Sequence, residues 1–325
     1  MRGGRSRAKT GKARPLPGAL KGTGAALTLL AAAAGLLAYL DERHWTLDTL
    51  AHFRLQWGAV LVLALLVLLV VRRWALAGLV AAAAVATVAP LLAYALVDDA
   101  RCAADAPGLR VMSMNLLSSN PDRRPALDLV REELPDVLFL MEVDPAWMDA
   151  LEEALGALYP HRVGETREDD FGIALFSRVP FTGGVVYLAT PLPSIVVRVE
   201  RPDGAWTVVA THPTPPVSRE SAHRRDLQLD GLAARVRAAR EPTLVMGDLN
   251  TTPWAASFRK LLESAELRDS GEGGWPEGTW GGPVSALGIP IDHVLLSRDL
   301  CVVERRLGAD IGSDHRALVV AVARR

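Results

Sequence analysis

The sequence predicts an α/β domain preceded by three transmembrane helices. The first hundred residues contain three long uncharged apolar runs, whereas the remainder mixes charged residues with shorter apolar runs. In that remainder, short β-branched runs alternate with amphipathic helical stretches, a pattern typical of layered α/β structure. Several predicted strands end in Asp, Asn, Glu or His, so polar side chains are expected to collect at one rim of the sheets.

The three uncharged runs have the length of membrane spans. They occupy residues 22–40, 55–71 and 74–97 and contain 19, 17 and 24 residues. A bilayer core needs about 20 apolar residues, with a range of roughly 17–25. Charged residues flank each run, which favours spans over buried core helices. A cleaved signal peptide is disfavoured because the first run lacks a clear small-residue cleavage site and two more apolar runs follow it.

Lysine and arginine placement predicts the orientation of these spans. Residues 1–21 carry seven lysines and arginines, and the turn between the second and third spans is Arg72-Arg73. Such residues are retained on the cytoplasmic side of a membrane. We therefore expect a multi-pass plasma-membrane protein whose chain beyond Asp98 is extracytoplasmic. The expected units are a basic cytoplasmic leader at 1–21, a three-helix transmembrane region at 22–97, a linker at 98–108 and a globular domain at 109–325.

Charge and cysteine content constrain the partners. Residues 101–325 hold 25 Arg and Lys against 32 Asp and Glu and are therefore acidic by seven charges. A non-specific nucleic-acid binder usually carries a basic stripe, and most arginines of 219–240 are expected on a solvated helix face. Cys102 and Cys301 have no metal-site spacing, which leaves a disulfide and two unpaired thiols as alternatives. The expected partner is the lipid bilayer, and no feature implies a protein partner.

Apolar runs and turn residues divide the globular domain into elements. Strands are predicted at 109–115, 136–141, 171–177, 184–189, 194–200, 206–212, 243–250, 291–297, 301–307 and 316–323. Helices are predicted at 124–134, 145–157, 218–239 and 254–264. Residues 271–290 are rich in Gly, Pro and Trp and are predicted to form a loop, which at this length often borders a substrate site.

Three motifs carry the chemistry of the predicted strand ends. They are GDLN at 247–250, IDHVLLS at 291–297 and GSDHRAL at 312–318. Each alone is ordinary turn chemistry. Together they offer carboxylates for a hard cation, an imidazole for developing charge and an amide to hold a reacting oxygen, which predicts metal-assisted phosphoester hydrolysis. In chain order, the polar strand-end residues are Asn115, Glu142, His212, Asp248, Asn250, Asp292, Asp314 and His315.

With these motifs, residues 109–323 resemble the endonuclease/exonuclease/phosphatase superfamily, the group of deoxyribonuclease I, AP endonucleases, inositol polyphosphate 5-phosphatases and sphingomyelinases. GDLN and SDH are the most specific marks. The resemblance implies a four-layer α/β sandwich, with two packed mixed sheets flanked by helices. A domain of this kind behind three apolar spans is similar to the VanJ-type membrane proteins of actinobacteria.

The resemblance implies a metal site at three positions. Glu142, in LFLMEVD, resembles the family glutamate that binds Mg²⁺ directly, with Mn²⁺ as the alternative ion. Asn115 resembles the amide beside that glutamate, and Asp314 would complete the carboxylate group. By itself a strand-end glutamate would be a surface residue, but the apolar run that precedes Glu142 argues against this.

The resemblance also implies the catalytic groups. Asp248 and Asn250 resemble the pair that positions and deprotonates the attacking water and contacts the phosphate. His212, in VVATHPTPP, resembles a phosphate-contacting histidine. His315 resembles the imidazole that stabilises the pentacovalent transition state or helps to transfer the proton. Asp292 resembles the carboxylate that orients that imidazole.

Four further positions concern the surroundings of the site. Thr279 and Trp280 resemble the loop element that lines the substrate cleft. At Ala317 the chain departs from the family, where SDHxP normally carries proline; the last turn loses rigidity, but no chemical group is lost. His293, next to Asp292, is expected on the opposite face of its strand and in a packing role.

These inferences predict a membrane-tethered, Mg²⁺-dependent phosphohydrolase that acts outside the cytoplasm on a lipid phosphate or pyrophosphate. VanJ-type proteins are linked to undecaprenyl-pyrophosphate handling and to glycopeptide (teicoplanin) resistance. A membrane-anchored extracellular nuclease of the deoxyribonuclease type remains an alternative, since the fold suits nucleic acid equally well. A non-catalytic binding module is the third hypothesis, although its usual sign, the loss of a metal or histidine position, is absent from the sequence.

Overall fold

A group of helices forms the N-terminal part of the protein. The computed structural model describes residues 18–97, 101–103, 106, 108–281 and 288–325, with the backbone alone for 18–22. The helices are α1 (Gly18–Leu37), a 3₁₀ helix (Ala38–Arg43), α2 (Trp45–His52), α3 (Arg54–Val70) and α4 (Trp74–Ala95). Most of the predicted leader, 1–21, lies outside the described residues. Helix α1 begins at Gly18, within the last residues of that predicted leader.

Two helices of the described part are long and apolar enough to cross a membrane, Thr23–Arg43 and Trp74–Ala95. A third span exists only if α2 and α3, which meet at a bend of 62°, count as one. Helix α3 alone has 17 residues. At about 1.5 Å per residue it reaches about 25 Å, somewhat less than a typical hydrocarbon core. Helix α2 lies where the sequence analysis expected only a loop between two spans.

Within the described residues, twelve strands form two mixed sheets of six strands each. The first sheet has the order β11-β12-β1-β2-β4-β3, and the second has the order β5-β6-β7-β8-β10-β9. One central pair in each sheet is parallel, β1 with β2 and β7 with β8, and the other pairs are antiparallel. The strands are β1 (Gly108–Asn115), β2 (Val137–Met141), β3 (His161–Glu165), β4 (Ile173–Ser177), β5 (Phe181–Tyr187), β6 (Pro193–Val199), β7 (Trp206–Thr211), β8 (Thr243–Asp248), β9 (Leu267–Asp269), β10 (Asp292–Ser297), β11 (Leu300–Leu307) and β12 (Leu318–Arg324).

Four helices cover the outer faces of the two sheets. They are α5 (Arg124–Glu133), α6 (Pro145–Leu155), α7 (Arg219–Arg237) and α8 (Ala256–Ala265). The largest apolar cluster lies between the sheets and includes Phe139 and Val208. A second cluster joins α5 and α6 to the first sheet through Leu129 and Trp147. A third joins α7 and α8 to the second sheet. The layered α/β fold with two mixed sheets and flanking helices is therefore the one that the sequence predicts.

Two strands have no counterpart in the sequence prediction. β3 reads HRVGE and its residues alternate between half-buried and exposed, so it lacks the apolar run that marks the inner strands. Among the described strands it pairs only with β4, and it forms one edge of its sheet. β9 contains three residues and forms the edge of the other sheet. Short or polar edge strands carry little local signal, because pairing with a neighbour decides whether they form.

The start of the globular domain is attached to its last strands. Cys102 and Cys301 form a disulfide with a Cα–Cα distance of 5.5 Å. Beside it, the Cys102 amide donates to the carbonyl of Val302 at 2.8 Å, and Arg101 forms a bridge with the same residue. The disulfide is thus the alternative that the structure shows for the two cysteines. Residues 101 and 102 of the predicted linker therefore lie beside β11, whereas Gly108, its last residue, already belongs to β1.

Candidate active site

The first group of predicted site residues lies where β1 and β2 end. Asn115 is the last residue of β1, and its Nδ2 donates to Glu142 Oε1 at 2.8 Å. Glu142 directly follows β2 and adopts a left-handed backbone conformation with φ 60°. The Ser118 amide donates to the second carboxylate oxygen of Glu142 at 3.0 Å. Two donors therefore hold this carboxylate in one orientation at the rim of the first sheet.

Asp314 belongs to the same rim. It precedes β12, which is antiparallel to β1, so the start of β12 lies beside the end of β1. The indole Nε1 of Trp280 donates to Asp314 Oδ2 at 2.9 Å. The other oxygen, Oδ1, is buried and has no hydrogen-bond partner in the described part of the chain. A buried carboxylate oxygen with open lone pairs, at the rim that also carries the Glu142 carboxylate, is the kind of donor that a hard divalent cation prefers.

The second group lies at the rim of the other sheet and centres on Asp248. This residue ends β8 and stands opposite Asp292, the first residue of β10, in the antiparallel register. Its Oδ1 accepts from the Asn250 amide at 2.8 Å, and its Oδ2 lies 3.5 Å from His212 Nε2. Burial disfavours the charged form of Asp248, but the hydrogen bond from His212 and the charge of His315 outweigh this effect and lower the pKa of Asp248.

The GDLN turn needs its glycine for a steric reason. Gly247 has φ 145°, and a Cβ atom there would lie 2.0 Å from the carbonyl oxygen of Thr211. No side chain fits so close an approach. Asn250 is also left-handed, with φ 50°, and its side-chain Nδ2 donates to the carbonyl of Pro213 at 2.9 Å. The turn thereby holds Asp248 and Asn250 against the segment that follows β7.

His315 and Asp292 form a buried pair. His315 Nδ1 lies 2.8 Å from Asp292 Oδ2, and His315 Nε2 lies 3.7 Å from Asp248 Oδ2. Burial opposes a charged imidazole, but the carboxylates of Asp292, Asp248 and Asp314 raise the pKa of His315 to about 10. At neutral pH the imidazole is therefore an imidazolium between carboxylates.

The 271–290 segment connects the two groups. Thr279 Oγ1 accepts from the amides of Ile291 and Asp292 at 3.1 and 3.0 Å. The backbone of Trp280 forms an antiparallel β-bridge with His315, and its indole donates to the carboxylate of Asp314. Residues 282–287 of this predicted loop lie outside the described residues. Thr279 thus orients the backbone at Asp292, and Trp280 joins the rims of the two sheets.

Two sets of side chains in this region offer donor atoms of a kind that suits a divalent cation. Ligand atoms of Asp248, Asp292 and His315 all lie within 4.8 Å of one another. In that set, however, the short His315–Asp292 contact already pairs two of the members. Each set contains a buried carboxylate oxygen without a hydrogen-bond partner in the described part of the chain, Asp292 Oδ1 in the first and Asp314 Oδ1 in the second. The second set, Asn115, Glu142 and Asp314, offers oxygen donors alone and is therefore closer to the chemistry of a hard cation.

Sequence reasoning missed several residues beside the site. Asp170 Oδ1 accepts from Ser118 Oγ at 2.7 Å, and the Phe171 ring lies 5.4 Å from the His212 ring. Both belong to the EDDF turn before β4, where an acidic cluster was the available signal. His293 is buried away from Asp248, and its Nε2 lies 2.9 Å from the carbonyl of Thr251, which fits the packing role expected for it.

The N-terminal helices, residues 18–97, are called the helical segment, and they contact the globular domain at this same rim. The loop that follows Asp248 leads into helix α8. Asp41, at the end of the first apolar helix, accepts from the Ala256 amide at the start of α8 at 2.8 Å. Tyr94, near the end of α4, donates to Asp269 at the end of β9 at 2.7 Å. The ends of two apolar helices thus lie at the rim that carries the candidate site.

The profile of the Endonuclease/Exonuclease/phosphatase family matches residues 112–315, which is more than half of the chain. The chain belongs to this family. Family members are hydrolases that act on phosphoester bonds, and they generally depend on a divalent metal. The protein is accordingly a phosphoester hydrolase by fold and family. No curated protein matches the chain.

Solved structures share the fold of the globular domain. An endonuclease/exonuclease/phosphatase from Beutenbergia cavernae is 23% identical with a TM-score of 0.55, covering 67% of this chain and 72% of its own. The human Nocturnin catalytic domain with bound sulfate is 22% identical with a TM-score of 0.55, covering 70% and 97%. Sphingomyelinase C from Streptomyces griseocarneus is 19% identical with a TM-score of 0.51, covering 66% and 99%. At these identities the likeness concerns the fold.

Proposed function

We propose that the protein is a membrane-tethered, Mg²⁺-dependent phosphohydrolase that acts outside the cytoplasm on a lipid phosphate or pyrophosphate, such as undecaprenyl pyrophosphate. The observation that carries this proposal is the position of the site at the rim where two apolar helices end. In a bilayer those helix ends lie at the head-group level, and the phosphate of a lipid substrate lies at the same depth.

Two further observations support the location. The disulfide between Cys102 and Cys301 is a bond that persists in oxidising compartments outside the cytoplasm. Trp275 is 54% exposed and lies two residues from Gly273, whose amide donates to the carbonyl of Tyr94 at 3.3 Å. An exposed tryptophan next to the end of an apolar helix suits the membrane interface.

The two groups of side chains have different proposed roles, metal binding in the first and acid–base and charge-stabilising chemistry in the second. Asn115, Glu142 and Asp314 would hold Mg²⁺, which when bound neutralises charge on the phosphoryl oxygens. The ionised Asp248 would accept the proton of the attacking water, and Asn250 would hold that water or a phosphate oxygen. The His315 imidazolium would stabilise negative charge in the transition state, and Asp292 would keep it protonated and oriented. His212 would contact the phosphate.

The electrostatics of the domain favour a lipid over long nucleic acid. Residues 101–325 are acidic by seven charges. In the proposed arrangement the site rim, where two apolar helices end, lies next to the membrane surface. Duplex DNA would have to approach an acidic surface beside anionic head groups, and this repulsion increases as salt falls. The nuclease alternative therefore serves as the competing outcome in the test of substrate.

The test uses the full chain in liposomes with Mg²⁺ and compares phosphate release from a lipid pyrophosphate with nicking of plasmid DNA. We expect lipid turnover clearly above nicking. Asp248→Asn and His315→Ala should each lower that turnover by at least ~10²-fold, the scale of a positioned proton-transfer or charge-stabilising group. Plasmid cleavage without lipid turnover would establish the nuclease, and near-wild-type rates in both variants would reject the assigned mechanism.

A further inference from the structure

The segment that follows Asp248, residues 249–256, is here called the catalytic loop, and helix α2 lies directly against it. His52 Nδ1 is 3.1 Å from Thr252 Oγ1, and both side chains are buried. Trp254, 2% exposed, donates its indole Nε1 to the carbonyl of Ala51 at 2.6 Å. Both contacts join residues about two hundred positions apart in the chain. Two positions of the catalytic loop, Thr252 and Trp254, are therefore in contact with the helical segment.

A buried ion pair connects α2 to Asn250. Arg225 of α7 is 2% exposed, although most neighbouring arginines of that helix face solvent as expected. Its Nη1 donates to Asp48 Oδ2 of α2 at 2.7 Å and to the carbonyl of Asn250 at 3.4 Å. His52 Nε2 lies 3.7 Å from the same Asp48 oxygen. Arg225 Nε and Nη2 also donate to Asp226 Oδ1, at 3.0 and 2.7 Å. The backbone of a proposed catalytic residue is thus contacted by an arginine that Asp48 and Asp226 orient together.

Asp41 supplies the cap of α8. The N-cap position of α8 is Ala255, which has no side-chain oxygen for the first amides of the helix. Asp41 Oδ2 accepts from the Ala256 amide at 2.8 Å instead. A carboxylate at a helix N-terminus satisfies an otherwise open donor and interacts favourably with the helix dipole. The end of the catalytic loop is therefore capped by a residue from the helical segment.

A fourth connection runs from α4. The Tyr94 hydroxyl donates to Asp269 Oδ2 at 2.7 Å, and the same oxygen lies 3.2 Å from His293 Nδ1. His293 Nε2 lies 2.9 Å from the carbonyl of Thr251. All members of this relay that belong to the globular domain are buried. The catalytic loop is thus supported at 250, 251, 252, 254 and 256 by chains of contacts that end on the helical segment.

We infer that the helical segment is a working part of the hydrolase: Asp48, His52 and Asp41 are positioning residues that hold the catalytic loop, and turnover requires the segment to be packed against the domain. The inference rests on the proposed role of Asn250 in the site. A tether alone would need only a flexible connection, whereas contacts from the 3₁₀ helix, α2 and α4 converge here on five positions of one short loop. Displacement of α2 in the membrane would therefore reduce hydrolysis without any change in the catalytic side chains.

The experiment measures kcat and KM for a lipid pyrophosphate in liposomes with Mg²⁺. It compares the full-length wild type with the variants Asp48→Asn, His52→Leu and His52→Asn. Asp48→Asn and His52→Leu should lower kcat by at least about tenfold with little change in KM, since a misplacement of about 1 Å in a catalytic group has effects of this size. His52→Asn should recover much of the loss, because its amide reaches about where Nδ1 lies. Glu42→Gln is the matched control, since Glu42 is exposed in the same segment, and should behave like the wild type.

Amide hydrogen exchange provides a readout that does not depend on the substrate. In Asp48→Asn, amides of 249–256 should exchange faster, whereas those of β8 and β10 should keep their protection. If Asp48→Asn fails to fold, the double variant Asp48→Leu/Arg225→Met removes both charges and avoids an orphaned buried cation; the same increase in exchange is expected. Unchanged exchange in the loop, or an equal effect of Glu42→Gln, would overturn the inference. Absence of turnover in the wild type with faster loop exchange in the variant would reject the proposed function alone.

Discussion

Replacing Asp292 with Asn should change the charge of His315 while leaving the shape of the site nearly unchanged. Asp292 Oδ2 lies 2.8 Å from His315 Nδ1, and both side chains are buried. Asn has almost the same size as Asp but carries no charge. The imidazolium then loses its nearest counter-charge and keeps Asp248, whose Oδ2 lies 3.7 Å from Nε2. The pKa of His315 should therefore fall.

The size of this effect follows from the surroundings of the imidazole. Although burial lowers the pKa of His315, the carboxylates, Asp292 foremost, raise it from 6.5 to about 10. Since a tenfold change in a protonation equilibrium is about 1.4 kcal/mol, the site favours the imidazolium by about 5 kcal/mol. Removal of the foremost carboxylate should take away a large share of this preference and lower the pKa, because burial then acts against a weaker attraction.

The pH dependence of kcat measures the change. If the imidazolium stabilises the transition state, its loss lowers kcat, so the alkaline limb of the profile should move to lower pH in Asp292→Asn. A folded-state pKa above the ordinary value adds stability that is fully present below pH 6.5 and is lost as pH rises toward about 10. The melting temperature of the wild type should therefore fall over that pH window more than that of the variant.

Comparison with His315→Ala decides whether Asp292 acts through His315 or directly on the substrate. Below its lowered pKa, His315 is still protonated in the Asp292→Asn variant, so this variant should lose less turnover than His315→Ala. An alkaline limb that stays in place in Asp292→Asn would refute the coupling. A loss in Asp292→Asn at pH 6 as large as that in His315→Ala would show that Asp292 acts on the substrate itself.

Three further predictions concern the metal, the topology and the disulfide. Glu142→Gln should weaken the Mg²⁺ dependence and lower turnover in a folded protein, and an unchanged Mg²⁺ titration would remove Glu142 from the site. Alkaline-phosphatase fusions after Asp105 should be active in cells; activity of cytoplasmic reporters alone at that point would contradict the three-span topology. Cys102→Ser/Cys301→Ser should lower the free energy of unfolding by about 2–4 kcal/mol, measured by denaturant titration with the oxidised wild type as reference, and an unchanged midpoint would show that the disulfide does not stabilise the domain.

Most of the inner strands were predictable from local pattern. β1, β2, β7 and β8 are apolar runs that end in polar residues, because a strand buried on both faces has to be apolar along its length and turns polar where it leaves the core. That rule also located Asn115, Glu142 and Asp248 at strand ends. Family membership follows from the same motifs, since GDLN and SDH are short local strings whose geometry is set by the turn.

Other features depended on contacts that no local pattern encodes. The sequence left the cysteines with two alternatives, and only the pairing of the linker with β11 brings them together. The edge strands β3 and β9 form because a neighbour supplies the hydrogen bonds. Arg225 belongs to a helix whose other arginines are mostly exposed, so its spacing carries no sign of burial.

The sequence by itself determined the family and the inner strands and indicated the chemical groups of the candidate site, because each of these follows from residues close together in the chain. The tertiary structure decided how the helical segment meets the catalytic loop. Asp48 and Arg225 are 177 positions apart, and Asp41 and Ala256 are 215 positions apart. A charge is buried at each contact only because the docked helix excludes water there. A hydropathy pattern predicts which face of a helix or strand is buried, but it does not predict burial that another part of the chain causes.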